Sequence, residues 1–185
     1  NRKWDERSKK YARMVHMLDV DVGRIVDLVD QIGLAENTLV IFTSDNGGHG
    51  SISARFHSSG PLRGHKRSLN EGGIRVPFVA RWTHMIAPKQ TSDEVISFQD
   101  MLPTFAELAG VVPPHDLDGV SVVKALQGGQ VLPTREFLYW DYGHCRGRYD
   151  QAVRWNDWKG IRQGTDGDIQ LYDLATDISE SHDVA

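Results

Sequence analysis

Asn37-Thr-Leu-Val-Ile-Phe-Thr-Ser-Asp-Asn-Gly-Gly48 is the stretch on which the fold of this chain turns. Its first part, residues 37–44, is β-branched and apolar without polar alternation. That is the pattern of a strand buried on both faces, as in a sheet flanked by helices. The character then changes abruptly to small and polar residues. In open α/β sheets, ligands sit beyond the carboxyl ends of the strands. Asp45 and Asn46 stand at such an end and offer a carboxylate and an amide oxygen, the hard donors that calcium or magnesium prefers. Asp-Asn-Gly is also ordinary turn chemistry, an Asx turn that closes a strand. The stretch alone leaves both readings open.

Upstream, Tyr11, Val15, Leu18, Val22, Ile25, Val29 and Ile32 recur in alternating steps of four and three, which is one apolar stripe of a long helix. Asp19, Asp21, Arg24, Asp27 and Asp30 lie off that stripe, and Gly33 is a natural stop. A helix that feeds a buried strand is a piece of an α/β architecture.

Downstream, residues 45–73 are rich in Gly, Ser, His and Arg and show no period, so a long loop is predicted. A loop of that length is usually functional or disordered. Residues 74–82 read as a returning strand. A helix is predicted from about 98 to 109, with Pro103 in its early part and Gly110 closing it, and a short one from Ser121 through Leu126. Beyond Pro133 the texture shifts. Residues 137–142, 151–155, 158–162 and 169–173 are short, aromatic-rich segments separated by Gly, Asn and Asp turns, the signature of an antiparallel meander. The expectation is an α/β portion over 1–126 and a small antiparallel β subdomain with little helix over 127–185.

Bulk properties narrow the function. With 185 residues, 39% hydrophobic and 25% charged, the chain suits one globular domain or a large piece of one. A net charge of −4 gives no electrostatic pull toward nucleic acid. No apolar run reaches the roughly 20 residues that span a bilayer. Cys145 is the only cysteine, so no intrachain disulfide forms. The first ten residues, Asn-Arg-Lys-Trp-Asp-Glu-Arg-Ser-Lys-Lys, carry neither an initiator Met nor an apolar signal segment. We therefore expect a fragment, whose lack of a leader says nothing about location.

The second chemical feature is Ser59-Gly-Pro-Leu-Arg-Gly-His-Lys66, running into Arg67-Ser-Leu-Asn-Glu-Gly-Gly-Ile-Arg-Val-Pro77. It gathers Arg63, His65, Lys66 and Arg67 on a glycine-rich backbone. Such a cluster can surround a tetrahedral oxyanion, with Lys as a point charge and Arg as a planar fork, or it can be a solvated basic loop. Taken with Leu34-Ala-Glu-Asn-Thr-Leu-Val-Ile-Phe-Thr-Ser-Asp-Asn-Gly47, these motifs closely resemble the arylsulfatase family of the alkaline-phosphatase-like superfamily. Asp100-Met-Leu-Pro-Thr-Phe-Ala-Glu-Leu-Ala-Gly110, Leu117-Asp-Gly-Val-Ser121, Trp155-Asn-Asp-Trp-Lys-Gly-Ile-Arg162 and Leu171-Tyr-Asp-Leu-Ala-Thr-Asp177 extend the resemblance. It runs from about Tyr11 to Ala185.

The resemblance implies part of an alkaline-phosphatase-like mixed sheet flanked by helices, and a formylglycine-dependent sulfuric ester hydrolase. It implies that Asp45 and Asn46 are ligands of Ca2+, with Mg2+ the lesser choice, and that Lys66 contacts the sulfate group as a catalytic residue. A bound cation and a cationic clamp suit an anionic sulfate whose leaving oxygen gains charge in the transition state. His65 is a substrate-contact candidate. Arg63 is another, with an internal role in shaping the loop as its alternative. His144, after Tyr139-Trp-Asp-Tyr-Gly143, lies where relatives place substrate-contacting side chains. His49 and His57 could face the same pocket. Trp140, Tyr142, Trp155 and Trp158 are expected to pack between the meander and the main domain rather than stack on a sugar.

One departure matters. The family's nucleophile comes from Cys/Ser-x-Pro-x-Arg, matured to formylglycine, and no such motif occurs here; Cys145-Arg-Gly-Arg148 lacks the proline. The nucleophile and the remaining ligands are expected upstream of Asn1, so this chain alone is expected to be inactive. The implied substrate is a sulfate ester, carbohydrate or aryl, and the implied location is periplasmic or secreted. No nucleic-acid partner and no membrane insertion are expected. The alternatives are a phosphodiesterase or phosphonate monoester hydrolase of the same superfamily, and a non-catalytic calcium- or glycan-binding remnant. In geometry, the Asp45 and Asn46 oxygens should converge at the end of strand 38–44, with Lys66 in the same cleft.

Overall fold

The computed structural model describes residues 4–129, 135–143, 147 and 149–185. The first element is the long helix α1 (Glu6–Gln31). Asp5 starts it, its carboxylate accepting from the Ser8 N–H at 2.7 Å, and Glu6 complements the first turn. It ends where Ile32 N–H bonds the Leu28 carbonyl and Gly33 takes a φ of 73°. The periodic stripe did fall on a helix, yet Val15, Leu18, Ile25 and Ile32 all remain exposed.

Strand β1 (Val40–Thr43) pairs with β2 (Phe78–Arg81) in a two-stranded sheet. The second strand is shorter than the predicted 74–82. Its expected start is taken by the helical turn α3 (Glu71–Ile74), closed by Ile74 N–H to the Asn70 carbonyl and Arg75 N–H to the Glu71 carbonyl. Pro77 has no N–H for a ladder, so pairing resumes after it. The segment 45–73 is not an unstructured loop either, since helix α2 (Gly50–Phe56) lies within it.

The chain forms two compact units that interleave in sequence: residues 1–42 with 79–134, and residues 43–78 with 135–185. The glycine-rich segment thus groups with the C-terminal sheet rather than with its neighbours in sequence.

In the first unit, Arg81 donates to Asp30 at 2.7 Å and the Trp82 indole N–H donates to the Glu36 carbonyl at 3.3 Å, tying the end of β2 to α1 and the turn after it. A 3-10 turn over Phe98–Asp100 leads into α4 (Met101–Leu108), as predicted for 98–109, and α5 (Val123–Leu126) follows. The fully buried Asp100 accepts from Ser97 N–H at 2.7 Å and Val120 N–H at 3.0 Å. Thr104 Oγ1 donates to the Asp100 carbonyl at 2.6 Å and accepts from Val122 N–H at 2.9 Å. Buried polar groups need such partners, and the two bonds from Val120 and Val122 fasten the 117–122 segment to the start of α4.

In the second unit, β3 (Leu138–Tyr142), β4 (Asp150–Trp155), β5 (Trp158–Arg162) and β6 (Ile169–Asp173) form an antiparallel meander in chain order. These are the predicted strands within a residue at each end. Ala152, Ile161, Tyr172 and Leu174 form its core with Leu69 of the glycine-rich segment, and Ile74, Trp140, Tyr142 and Ile178 pack around them. Trp140 and Tyr142 therefore pack against the core of their own unit. Trp155 and Trp158 sit opposite one another at the β4–β5 hairpin and are exposed.

Candidate functional site

Asp45 and Asn46 come after β1 and Ser44, the first exposed and the second half-buried. Ser44 Oγ donates to the Asn46 carbonyl at 2.9 Å, folding the backbone into a tight turn around Asp45. Two further bonds lace this turn to the cationic segment. Gly47 N–H donates to the Gly73 carbonyl at 2.9 Å, and Lys66 N–H donates to the Gly48 carbonyl at 2.9 Å. The backbone of Lys66 therefore lies against the turn that carries Asp45 and Asn46.

Glycine here serves close backbone approach, not flexibility. A Cβ on Gly47 would lie 1.9 Å from the Gly72 carbonyl oxygen, and one on Gly73 would lie 2.0 Å from that of Ser68. A Cβ on Gly72 would meet the carbonyls of Arg63 and Gly64, both at 2.6 Å. Gly72 N–H donates to the Arg63 carbonyl at 2.6 Å. The segment is a wedge of three backbone strands packed without side chains between them.

The cationic side chains separate into different roles. Lys66 is exposed beside the turn. His65 Nδ1 lies 2.8 Å from the Lys66 carbonyl, and its ring packs where a Gly50 Cβ would stand, 2.9 Å away. Arg63 turns to the C-terminal part of its unit, donating to the Tyr172 hydroxyl at 3.1 Å and the Glu180 carbonyl at 2.7 Å. That geometry matches the loop-shaping alternative for Arg63. His49 precedes α2 with Nδ1 3.3 Å from Ser51 Oγ, and His57 ends α2 with a φ of 50°. His144 lies outside the described residues.

One group was missed from sequence. Lys159, with no exposure, places Nζ 2.7 Å from Glu71 Oε1 and 3.1 Å from Glu180 Oε1. Glu180 Oε2 accepts from the Glu71 N–H at 2.8 Å. Arg75 and Arg154 approach Glu71 Oε2 at 3.6 and 4.0 Å. Near the chain's end, the Asp177 carboxylate accepts from the N–H groups of His182 and Ser181 and from the hydroxyls of Ser179 and Ser181. The His182 N–H is the largest of the influences that lower its pKa to about 2.

Asp45 and Asn46 fit calcium in kind, as hard oxygen donors. Calcium takes roughly six to eight oxygens, and among the described residues no group of three or more His, Cys, Asp or Glu side chains stands ready to hold a metal. The pair would be a contribution to such a site.

The family model described as Sulfatase matches residues 2–111, more than half of the chain. The chain belongs to the sulfatase family. Residues 64–185 of this sulfatase chain also match the model for the C-terminal part of N-sulphoglucosamine sulphohydrolase. Steryl-sulfatase of Mus musculus is 38% identical over 158 residues, covering 82% of this chain and 25% of the relative. N-acetylgalactosamine-6-sulfatase of Mus musculus is 36% identical over 167 residues, covering 85% and 32%. The solved structure of Ps i-CgsB in complex with k-i-k-neocarrahexaose superposes with a TM-score of 0.86 at 34% identity, covering 98% of this chain and 40% of that one. This sulfatase chain thus spans between a quarter and two fifths of the length of these relatives. Among the described residues no helix is long and apolar enough to cross a membrane.

Proposed function

We propose that this chain supplies the Asp45-Asn46 metal pair and the sulfate-contacting Lys66 of a formylglycine-dependent sulfuric ester hydrolase. The observation that carries the reading is the Lys66 N–H···O=C Gly48 bond, which brings the cationic loop against the metal turn. Asp45 and Asn46 would hold Ca2+, which when bound supplies positive charge to the sulfate oxygens. Lys66 places its ammonium beside the same sulfate and stabilises the charge that builds in the transition state. His65 and His144 contact the substrate. Arg63 shapes the loop behind them. The nucleophile and the remaining ligands belong to a Cys/Ser-x-Pro-x-Arg segment and an acidic cluster outside these residues.

The substrate class is a sulfated carbohydrate. Two likenesses support this reading: a relative named N-acetylgalactosamine-6-sulfatase, and a superposable structure solved in complex with k-i-k-neocarrahexaose. We further propose a periplasmic or secreted location, and a functional division in which residues 1–126 carry the catalytic elements and 127–185 brace them.

The test is turnover of 4-nitrophenyl sulfate by a polypeptide in which this chain follows a segment with the nucleophile motif. Lys66→Ala should lower kcat/KM by about 100-fold or more, the scale for loss of one transition-state charge contact. Asp45→Ala should abolish the response to added calcium. The isolated chain should be inactive. Turnover undiminished in Lys66→Ala would sink the assignment, and a preference for phosphonate over sulfate esters would establish the runner-up.

A further inference from the structure

Lys159, Glu71 and Glu180 form a buried charged cluster that the reaction does not use. We propose that this cluster is a positioning device: it sets the backbone of the Asp45-Asn46 turn and of the His65-Lys66 segment from behind. The consequence for sulfate chemistry rests on the sulfatase reading, but the coupling itself stands on backbone geometry.

The cluster joins distant parts of the chain. Glu71 and Lys159 are 88 residues apart, and the Glu71 N–H reaches Glu180 across 109. All three side chains are nearly or wholly removed from water. Glu180 Oε1 is 3.1 Å from the Lys159 ammonium but accepts no hydrogen bond. Its orientation is therefore defined through Oε2, which accepts from the Glu71 N–H. Glu71 is held at both ends, by its carboxylate on Lys159 and by its backbone on Glu180.

What Glu71 holds in turn is the wedge. It is the first residue of α3, and the next two are Gly72 and Gly73. Gly72 N–H donates to the carbonyl of Arg63, three residues before Lys66, and the Gly73 carbonyl accepts from Gly47 N–H, one residue after Asn46. No side chain lies between these strands of backbone to take up slack. A shift of α3 is thus transmitted to both loops. Arg63 adds a second fixed point, since it donates to the Glu180 carbonyl while Glu180 holds Glu71. Truncating one member of a buried ion cluster leaves charge without a partner, so the cluster resists partial loosening.

Hydrogen–deuterium exchange of the full chain, read by mass spectrometry, tests this. Lys159→Met and Glu180→Ala should speed exchange about tenfold or more at residues 44–48 and 63–73, while β4 and β5 stay within about twofold of the unmodified chain, because local openings are separable from global unfolding. Glu180→Gln keeps an oxygen that can accept from the Glu71 N–H, so it should restore near-normal loop exchange. If Lys159→Met does not fold, the Glu180→Ala and Glu180→Gln pair carries the test. Unchanged loop exchange in Glu180→Ala would overturn the proposal. So would parallel acceleration in the meander, which would reduce the cluster to a general stabiliser. A failed Lys66→Ala activity result would leave this exchange pattern untouched, so the two ideas fail separately.

Discussion

Gly47→Ala is the sharpest probe of how the candidate site is built. The added Cβ would sit 1.9 Å from the Gly72 carbonyl oxygen, 2.8 Å from its carbon and 2.9 Å from the Gly73 Cα. Ordinary contacts of this kind begin above 3 Å, so the two backbone strands must part by more than an ångström. They cannot do so freely. Gly72 is pinned to the Arg63 carbonyl at 2.6 Å, and Gly47 N–H is bonded to the Gly73 carbonyl at 2.9 Å. Overpacking costs about 1–3 kcal/mol, and loss of the Gly47–Gly73 hydrogen bond adds about 1 kcal/mol. The sum is a destabilisation of about 2–4 kcal/mol. Gly47 is not among the positive-φ residues, so backbone strain is no part of it. The assay is urea denaturation of the variant against the unmodified chain, with Gly23→Ala as control. Gly23 lies in α1 with nothing within 4 Å of its would-be Cβ. There, alanine should stabilise by about 0.5–1 kcal/mol through helix propensity. If Gly47→Ala unfolds within about 0.5 kcal/mol of the unmodified chain, a scale typical of neutral surface changes, the interlocked wedge is refuted.

Two further outcomes check other parts of the structure. Asp100→Ala removes the acceptor of the Ser97 and Val120 N–H groups inside the first unit. Two half-buried donors left unpaired cost up to about 1–3 kcal/mol each, so a thermal melt should show a clear loss of stability; a melt unchanged from the parent chain would show that water replaces the carboxylate. Asp177 has its pKa lowered from 3.8 to about 2, chiefly by the His182 N–H. Because the folded value is depressed, the turn is fully supported above the ordinary carboxylate range and loses that support as pH falls from about 4 to about 2. Carboxyl-carbon NMR should place the Asp177 midpoint well below 3.8, and a midpoint at 3.8 would contradict the hydrogen-bonded turn.

The architecture was legible where a local pattern and the final packing agree. The four meander strands were visible because aromatic and β-branched runs alternate with Gly, Asn and Asp turns, and the folded chain uses that alternation. Leu138 and Trp140 face the core while Tyr139 is exposed. Helix α1 was visible from its stripe, although Val15, Leu18, Ile25 and Ile32 of that stripe stay exposed. Residues 71–74 were misjudged because Glu-Gly-Gly-Ile has no helical periodicity. The helical turn there is imposed by tertiary packing, with Gly72 and Gly73 pressed against the carbonyls of Arg63, Gly64 and Ser68.

The same divide runs through the candidate site. Asp45, Asn46 and Lys66 could be singled out because their chemistry is local: hard oxygens after a strand, and cations among glycines. The residues that hold them in place could not, because their meaning depends on pairs far apart in sequence. Lys159 stands two residues before Ile161 on one strand, so period-two geometry already puts it on the core face. A lysine there must find an anion, since an unpaired buried ammonium is not tolerated. Nothing near it in sequence identifies Glu71, which sits in a glycine-rich run, or Glu180, which sits among polar residues near the end of the chain. The order of dependence follows from the bonds. The Asp45-Asn46 turn leans on Gly73, Gly73 lies two residues after Glu71, and Glu71 is fixed by Lys159 and Glu180. The glycine-rich cationic segment is therefore shaped as much by the last strands of the meander as by its own glycines.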